Sequence, residues 1–363
     1  MSTLDSLNVL GSEEPLQKGA PAERVSPAGI RPLRVAAIGG GTGLSTLLRG
    51  LCQHVVPLAQ RLTLRGQISD LAAIVTVTDD GGSSGRLRKD FNMLPPGDLR
   101  NCMVALSEEG DLLAKLFAHR FRAGDGLEGH NFGNLFVAAL TEITGDFGHA
   151  IQLSSKILAT RGSIYPVTTA NASLIARMDD GSLVRGETNI TASHRRIEEL
   201  MIDPPGSPAT PEAIDAIQQA DLITVGPGSL YTSLITNLLV QGVPAALAGA
   251  RGLRVYISNL MTQANESLGL SASEHIERIY EHTRGPVFDY ALVNTTAFSS
   301  ETLARYAAEG ASPIEADIER IEALGVRCIA RDFASEGSVV RHDADRVTNA
   351  LLALGNGRPP ARP

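Results

Sequence analysis

Thr78-Asp79-Asp80-Gly81-Gly82-Ser83-Ser84-Gly85-Arg86-Leu87-Arg88 gathers two carboxylates, three glycines, two serines and two guanidiniums within eleven residues. Glycines let backbone N–H groups approach an anion, serine hydroxyls add donors, and Arg86 or Arg88 can grip phosphate in a bidentate fork. Asp79 and Asp80 are of the type that holds a hydrated Mg²⁺ or a ribose. A metal is expected here only if a reaction is catalysed, and no other cofactor is required.

Two glycine turns point to the same chemistry. VAAIGGGTGLSTLL reads as a buried strand, the turn Gly39-Gly40-Gly41-Thr42-Gly43, and a helix whose N-terminus favours phosphate. No lysine follows as in a Walker A loop. The dinucleotide pattern G-x-G-x-x-G also fails, running from Gly41 through Gly43 to Thr46, or from Gly39 to Leu44. The acid that would hold a ribose about twenty residues later is missing from AQRLTLRGQ. An NAD-dependent oxidoreductase is therefore disfavoured. DLITVGPGSLYTS repeats the theme with Gly226, Pro227, Gly228 and Ser229, followed by Tyr231 and further hydroxyls. Two such turns on one sheet suit two parts of one extended ligand.

Other candidates surround them. Asp98, in PPGDLRN, suits an N-cap or a catalytic acid equally. Arg100 and Asn101 follow in the same first turn, where a cation opposes the helix dipole unless an anion sits nearby. His130-Asn131-Phe132-Gly133-Asn134 opens another helix, with Asn131 as its cap and His130 placed to bind phosphate or shuttle a proton. Asn259, in SNLMTQ, offers an amide for a sugar or base edge, and Arg341 reaches towards a phosphate. His54, His119, His149 and His194 sit in helical or charged contexts and are incidental. No spacing resembles a zinc site.

The elements that must position these groups are legible. Arg34–Ile38, Ala72–Val77, Leu222–Val225, Arg254–Ser258, Tyr290–Val293 and Val326–Ala330 are mostly continuous apolar runs, the mark of a parallel sheet covered on both faces. Thr210-Pro211, the box Ser271-Ala272-Ser273-Glu274, and Asp343 begin helices. Residues 98–160 form an elaborated helical middle. Pro166–Met178 and Ser182–Thr191, split by Asp179-Asp180-Gly181, predict an antiparallel hairpin over about 166–191. The class is a doubly wound α/β protein, with residues 33–355 as one domain between loose tails at 1–32 and 356–363.

Composition narrows the function. The 363 residues carry a net charge of −8, which argues against a general nucleic-acid binder. No run of eighteen apolar residues spans a membrane, and the N-terminus lacks a signal-peptide pattern. Cys52, Cys102 and Cys328 are odd in number and widely spaced, as expected of reduced thiols in a cytoplasm.

GGGTG, TDDGGSSGRLR, PPGDLRN, HNFGNL, GPGSLYTS and SNLMTQ, in this order between about Arg34 and Leu352, resemble the gluconeogenesis factor family. That family is a branch of the superfamily containing 2-phospho-L-lactate transferase. The resemblance implies a Rossmann-like three-layer α/β/α sandwich. It also implies a cytoplasmic protein that binds a UDP-sugar such as UDP-N-acetylglucosamine and is linked to cell shape and cell-wall metabolism during gluconeogenic growth. Gly39–Gly43, the Asp79–Arg86 loop, Asn131, Asn134, Gly226–Ser229 and Asn259 would line the site. A second copy of the chain and regulators of cell-wall synthesis are compatible partners. The chain departs from the family after SNLMTQ, where Ala264-Asn265-Glu266-Ser267 and Leu270 replace the usual proline-glycine-glutamate-threonine and a following aromatic residue.

Two functions follow. The first is UDP-sugar binding without required turnover. The alternative is a Mg²⁺-dependent transferase moving a phospholactyl-type group from a nucleoside diphosphate to a deazaflavin. There Asp79 and Asp80 would hold the metal, Arg86 or Arg100 would neutralise developing charge, and His130 or Asp98 would take a proton. Only 4% of residues are aromatic and none is tryptophan, which disfavours stacking a deazaflavin.

Overall fold

The computed structural model describes residues 32–56, 67–107, 112–193, 195–263 and 266–357. Seven strands form the central sheet: β1 (Leu33–Gly39), β2 (Ile68–Val75), β3 (Ser163–Pro166), β7 (Leu222–Val225), β8 (Leu253–Ile257), β9 (Tyr290–Asn294) and β10 (Arg327–Arg331). Their order is β10-β9-β8-β7-β1-β2-β3, and every pairing is parallel. A second sheet, ordered β5-β4-β6, comprises β4 (Ser173–Met178), β5 (Leu183–Arg185) and β6 (Ile197–Asp203). A short hairpin pairs β11 (Ala334–Ser335) with β12 (Arg341–His342).

The helices before the small sheet are α1 (Gly41–Cys52), α2 (Gly82–Phe91), α3 (Gly97–Leu106), α4 (Leu112–Ala118), α5 (Phe132–Thr144) and α6 (Phe147–Ile157). α7 (Glu187–Ala192) lies between β5 and β6. α8 (Pro211–Gln219), α9 (Thr236–Leu238), α10 (Val243–Gly249), α11 (Ala272–Thr283), α12 (Ser300–Ala308), α13 (Ile318–Ala323) and α14 (Ala344–Gly355) follow, with a π-helix over Leu230–Ile235.

Alternation along β1 shows why the strands read as unbroken apolar runs. Val35 and Ala37 enter a core shared with α1, α3 and α14, while Ala36 and Ile38 enter the core on the opposite face. Both faces are covered, so both side-chain rows of the strand interior are apolar from Val35 to Ile38. The chain winds to one side of β1 through β2 and to the other through β7. The crevice at the carboxyl ends of β1 and β7 is therefore the topological switch point where α/β sheets bind ligands.

Three caps occur as expected. Thr210 accepts from Ala213 N–H, Ser271 and Glu274 form a reciprocal box, and Asp343 accepts from Asp345 and Arg346. The predicted hairpin needs correction. Pro166 ends β3, an edge strand of the main sheet, and only β4 and β5 form the hairpin. Gly186, at φ 92, then turns the chain into α7 instead of extending the second arm to Thr191. β6 completes the small sheet, hidden in sequence because Glu198 and Glu199 interrupt its apolar pattern. Residues 1–31 and 358–363, most of the expected tails, lie outside the described residues.

Candidate functional site

The two glycine turns pack directly against one another. A Cβ on Gly43 would lie 2.4 Å from the Pro227 carbonyl oxygen, so only glycine permits this approach. Gly41 opens α1 at φ 64, and Gly226 turns the chain out of β7 at φ 93. Gly39 ends β1, its carbonyl accepting from Asn237 Nδ2 at 3.0 Å. Between the turns lies a cleft of about 280 Å³ lined by Gly40–Gly43, Thr46, Pro227–Ser229 and Ser233. The first-turn N–H groups of α1 have no intrahelical acceptors; Gly41 N–H is taken by Asp98 Oδ2 at 2.8 Å, and those that follow make this end of the cleft attractive to an anion.

The rest of the cleft is polar and amide-rich. Asn259 Oδ1 accepts from Gly228 N–H at 3.4 Å, and Ser229 Oγ accepts from Gln263 Nε2 at 2.9 Å. Val339–His342 form the far wall together with Tyr306 of α12, whose hydroxyl accepts from Val340 N–H at 2.9 Å. His342 donates from Nε2 to the Ser258 carbonyl at 3.0 Å, and burial lowers its pKa to about 4, fixing it neutral. Arg341 is on this wall. Tyr306 was not foreseen, because nothing in ARYAAEG marks a binding aromatic.

Leu270 is 8% exposed and belongs to a core cluster, so the missing family aromatic at that point is a packing change. Tyr306 is the aromatic residue of the cleft lining, with the Arg305 guanidinium 5.5 Å from its ring centre. Ala264 and Asn265 lie outside the described residues. Glu266 is buried and accepts from Tyr231 N–H, Thr232 N–H and Thr232 Oγ1, anchoring the π-helix that follows GPGS. Tyr231, expected among the contacts, turns inward instead. It is 1% exposed, and its hydroxyl donates to the Ile197 carbonyl at 3.1 Å.

The Asp79–Arg86 loop and the HNFGN segment lie beside the cleft without lining it. Asp79 accepts from Gly81 N–H at 2.9 Å, an Asx-type turn. Gly97 leaves room for its other oxygen, since a Cβ there would lie 3.0 Å from Asp79 Oδ2. Asp80 turns away, its Oδ1 accepting from Thr188 N–H at 2.8 Å and Thr188 Oγ1 at 2.6 Å. As a pair they do not present a shared cation face. Among the described residues, no three His, Cys, Asp or Glu side chains are placed to hold a metal ion.

Asp98 does not cap α3, whose N-cap is Pro96. It lies one turn inside the site, where Oδ2 accepts from Gly41 N–H at 2.8 Å and Asn101 donates to it as well. Burial, then the neighbouring Asp79, pushes its pKa up to about 6. Glu187, carried in by α7, accepts from Thr78 Oγ1 at 3.2 Å. Burial, followed by Asp79 and Asp98, drives its pKa to about 9. Sequence reading missed Glu187 because its segment resembled a strand; Gly186-Glu187-Thr188 is the helix-start signal it contained.

Ser83, near the start of α2 behind Gly81 and Gly82, organises the opposite side. Its Oγ accepts from Asn131 N–H at 3.3 Å and from Asn134 Nδ2 at 3.2 Å. Both lone pairs are then taken, so the Ser83 proton goes to His130 Nδ1, 3.1 Å away. His130 therefore carries its own proton on Nε2. Asn131 still caps α5 by accepting from Asn134 N–H, and Asn134 Oδ1 accepts from Arg100 Nε at 3.2 Å. Ser84 is buried under Gly97. Arg86 donates to the Glu128 carbonyl at 2.8 Å. Arg88 instead braces the chain by donating to Asn171 Oδ1 and the Thr78 carbonyl.

Residues 35–334 match the family model described as 2-phospho-L-lactate transferase CofD. The chain belongs to that family, in its gluconeogenesis factor branch. It is 42% identical to the gluconeogenesis factor of Bacillus subtilis, covering 88% of this chain and 98% of the relative. It is 43% identical to that of Halalkalibacterium halodurans, covering 89% and 97% respectively. A crystal structure of a Bacillus halodurans protein superposes with a TM-score of 0.83 at 43% identity, over 89% of this chain and 100% of the other. No described helix is long and apolar enough to cross a membrane.

Proposed function

We propose that this protein binds a UDP-sugar of the UDP-N-acetylglucosamine type in the cleft between its two glycine turns. On this reading it acts in the cytoplasm as a regulator of cell shape and cell-wall synthesis during gluconeogenic growth. The Gly43–Pro227 approach carries the reading, because it brings the two glycine turns together as the walls of one cleft at the switch point. A diphosphate fits there. Asn259, Thr262 and Gln263 suit sugar and base edges, Arg341 adds a cation, and Tyr306 offers a face for a ring. The relatives' name, gluconeogenesis factor, supports the link to gluconeogenic growth.

Thermal unfolding with UDP-N-acetylglucosamine, GDP, NAD and ATP tests it. A selective ligand at a hundredfold excess over its Kd adds about 2.7 kcal/mol. Stabilisation by the UDP-sugar alone supports the proposal. Stabilisation by GDP and not by the UDP-sugar replaces it with the transferase reading, which the family match favours.

A further inference from the structure

Beside the nucleotide cleft, three arginines and a histidine lie within electrostatic reach of their neighbours in the group, and among the described residues none of the arginines is ion-paired. Arg100 is the decisive one. It is 8% exposed, and its bonded partner is the neutral Asn134 Oδ1. Gly133 makes room for it, since a Cβ there would lie 2.8 Å from Arg100 Cγ. Arg120 and Arg86 stand at the rim, donating to the neighbouring carbonyls of Gly129 at 2.7 Å and Glu128 at 2.8 Å. His130, 7% exposed, sits between floor and rim with its Nε2–H unspent on Ser83.

Among the described residues none of these arginines forms an ion pair. After burial, the strongest charge acting on Arg100 is the like charge of Arg120; Asp98 and Asp79 act on it less. His130 feels Arg86 and Arg120, offset in part by Asp90. A buried guanidinium with no ion-pair partner, crowded by a second, is costly in the empty protein. An oxyanion seated between them would remove that cost.

We propose that Arg86, Arg100, Arg120 and the Nε2–H of His130 form a second anion subsite that takes the phosphate group of a second ligand. Guanidinium forks and one neutral imidazole donor match a tetrahedral dianion. The chain Arg100–Asn134–Ser83–His130 holds floor and donor in one fixed array, so the site is preorganised. It rests on the preceding reading only in assigning the glycine-turn cleft to the nucleotide.

The test is calorimetric titration of inorganic phosphate into the full chain at constant ionic strength, alone and saturated with UDP-N-acetylglucosamine. Phosphate is expected to bind the free protein, and to bind still when the UDP-sugar is present. Arg120→Gln, at the exposed rim, is expected to fold with an unchanged melting temperature and weaken phosphate at least tenfold; Arg100→Gln is expected to do the same or more. Three results overturn the proposal: no phosphate binding at 10 mM, equal affinity in Arg120→Gln, or full competition between phosphate and the UDP-sugar. Failure of the UDP-sugar to bind refutes the preceding reading alone, because the loss of phosphate affinity from the parent chain to Arg120→Gln, which leaves the glycine-turn cleft intact, reports on the subsite by itself.

Discussion

Asp80 receives the backbone N–H of Thr188 at 2.8 Å and the Thr188 hydroxyl at 2.6 Å, joining the second strand's loop to a helix 108 residues later. The carboxylate caps the start of α7 and thereby brings Glu187 against Thr78. Gly186 is required on two counts, for its φ of 92 and because a Cβ would lie 2.6 Å from Asp80 Oδ2.

Asp80→Ala should therefore cost about 1–2 kcal/mol, the usual loss for a helix cap. Hydrogen exchange should show the loss concentrated in Glu187–Ala192, with Asp80→Asn milder because an amide oxygen still accepts. Uniform loss of protection across the sheet would contradict the capping role.

Gly43→Ala tests the cradle. Its Cβ meets backbone at 2.4 Å, so the turns must separate. We expect a loss of about 1–3 kcal/mol in denaturant unfolding, the typical cost of overpacking. Loss of UDP-N-acetylglucosamine binding should accompany it, and retained affinity would place the ligand elsewhere.

Glu187 predicts a pH dependence. Its pKa is 4.5 when unperturbed and about 9 in the folded protein. Between those values the folded state binds more protons, so stability falls as pH rises. Glu187→Gln removes that slope and should be ~1–3 kcal/mol more stable than the parent at pH 8, converging with it below pH 4.5. Parallel urea-unfolding profiles across this range would contradict the burial of an acid here.

His130 titrates in the opposite sense. Burial, then Arg86, lowers its pKa below 6.5, so the folded protein holds it neutral and loses stability from this group as pH falls below that value. Arg86→Gln should raise the His130 pKa in an NMR titration. The ring nitrogens should report the Nε2–H tautomer at neutral pH; an Nδ1–H signal would reverse the Ser83 assignment.

Much of this was legible in sequence. The continuous runs of β1 and β7 and the Thr210, Ser271 and Asp343 caps depend on local pattern, and local pattern is what sequence exposes. β3 has only four residues and ends in proline, while β6 carries two glutamates, so neither announced itself. The site divided in the same way. Its residue types were visible, but spacing along the chain does not tell which side of the switch point a loop occupies. The glycine-turn cleft and the Ser83–His130 array therefore read as one site. Asp98 read equally as a cap or a catalytic acid, because its actual partner, the amide of Gly41, lies 57 residues away.

The packing of α14 on α1 sets an order of events during synthesis. Gly50 of α1 lies so close to α14 that a Cβ would meet Thr348 Oγ1 at 2.5 Å and the Ala344 carbonyl at 2.7 Å. The helix that presents the glycine turn is thus clamped by α14, the last of the described helices in chain order. Val339–His342, the cleft's far wall, emerge just before it. A nascent chain carries both glycine turns long before it can enclose anything between them. Synthesis must pass Val339–His342 and reach α14 before the cleft is walled in, so a product truncated ahead of them keeps both turns but lacks the far wall.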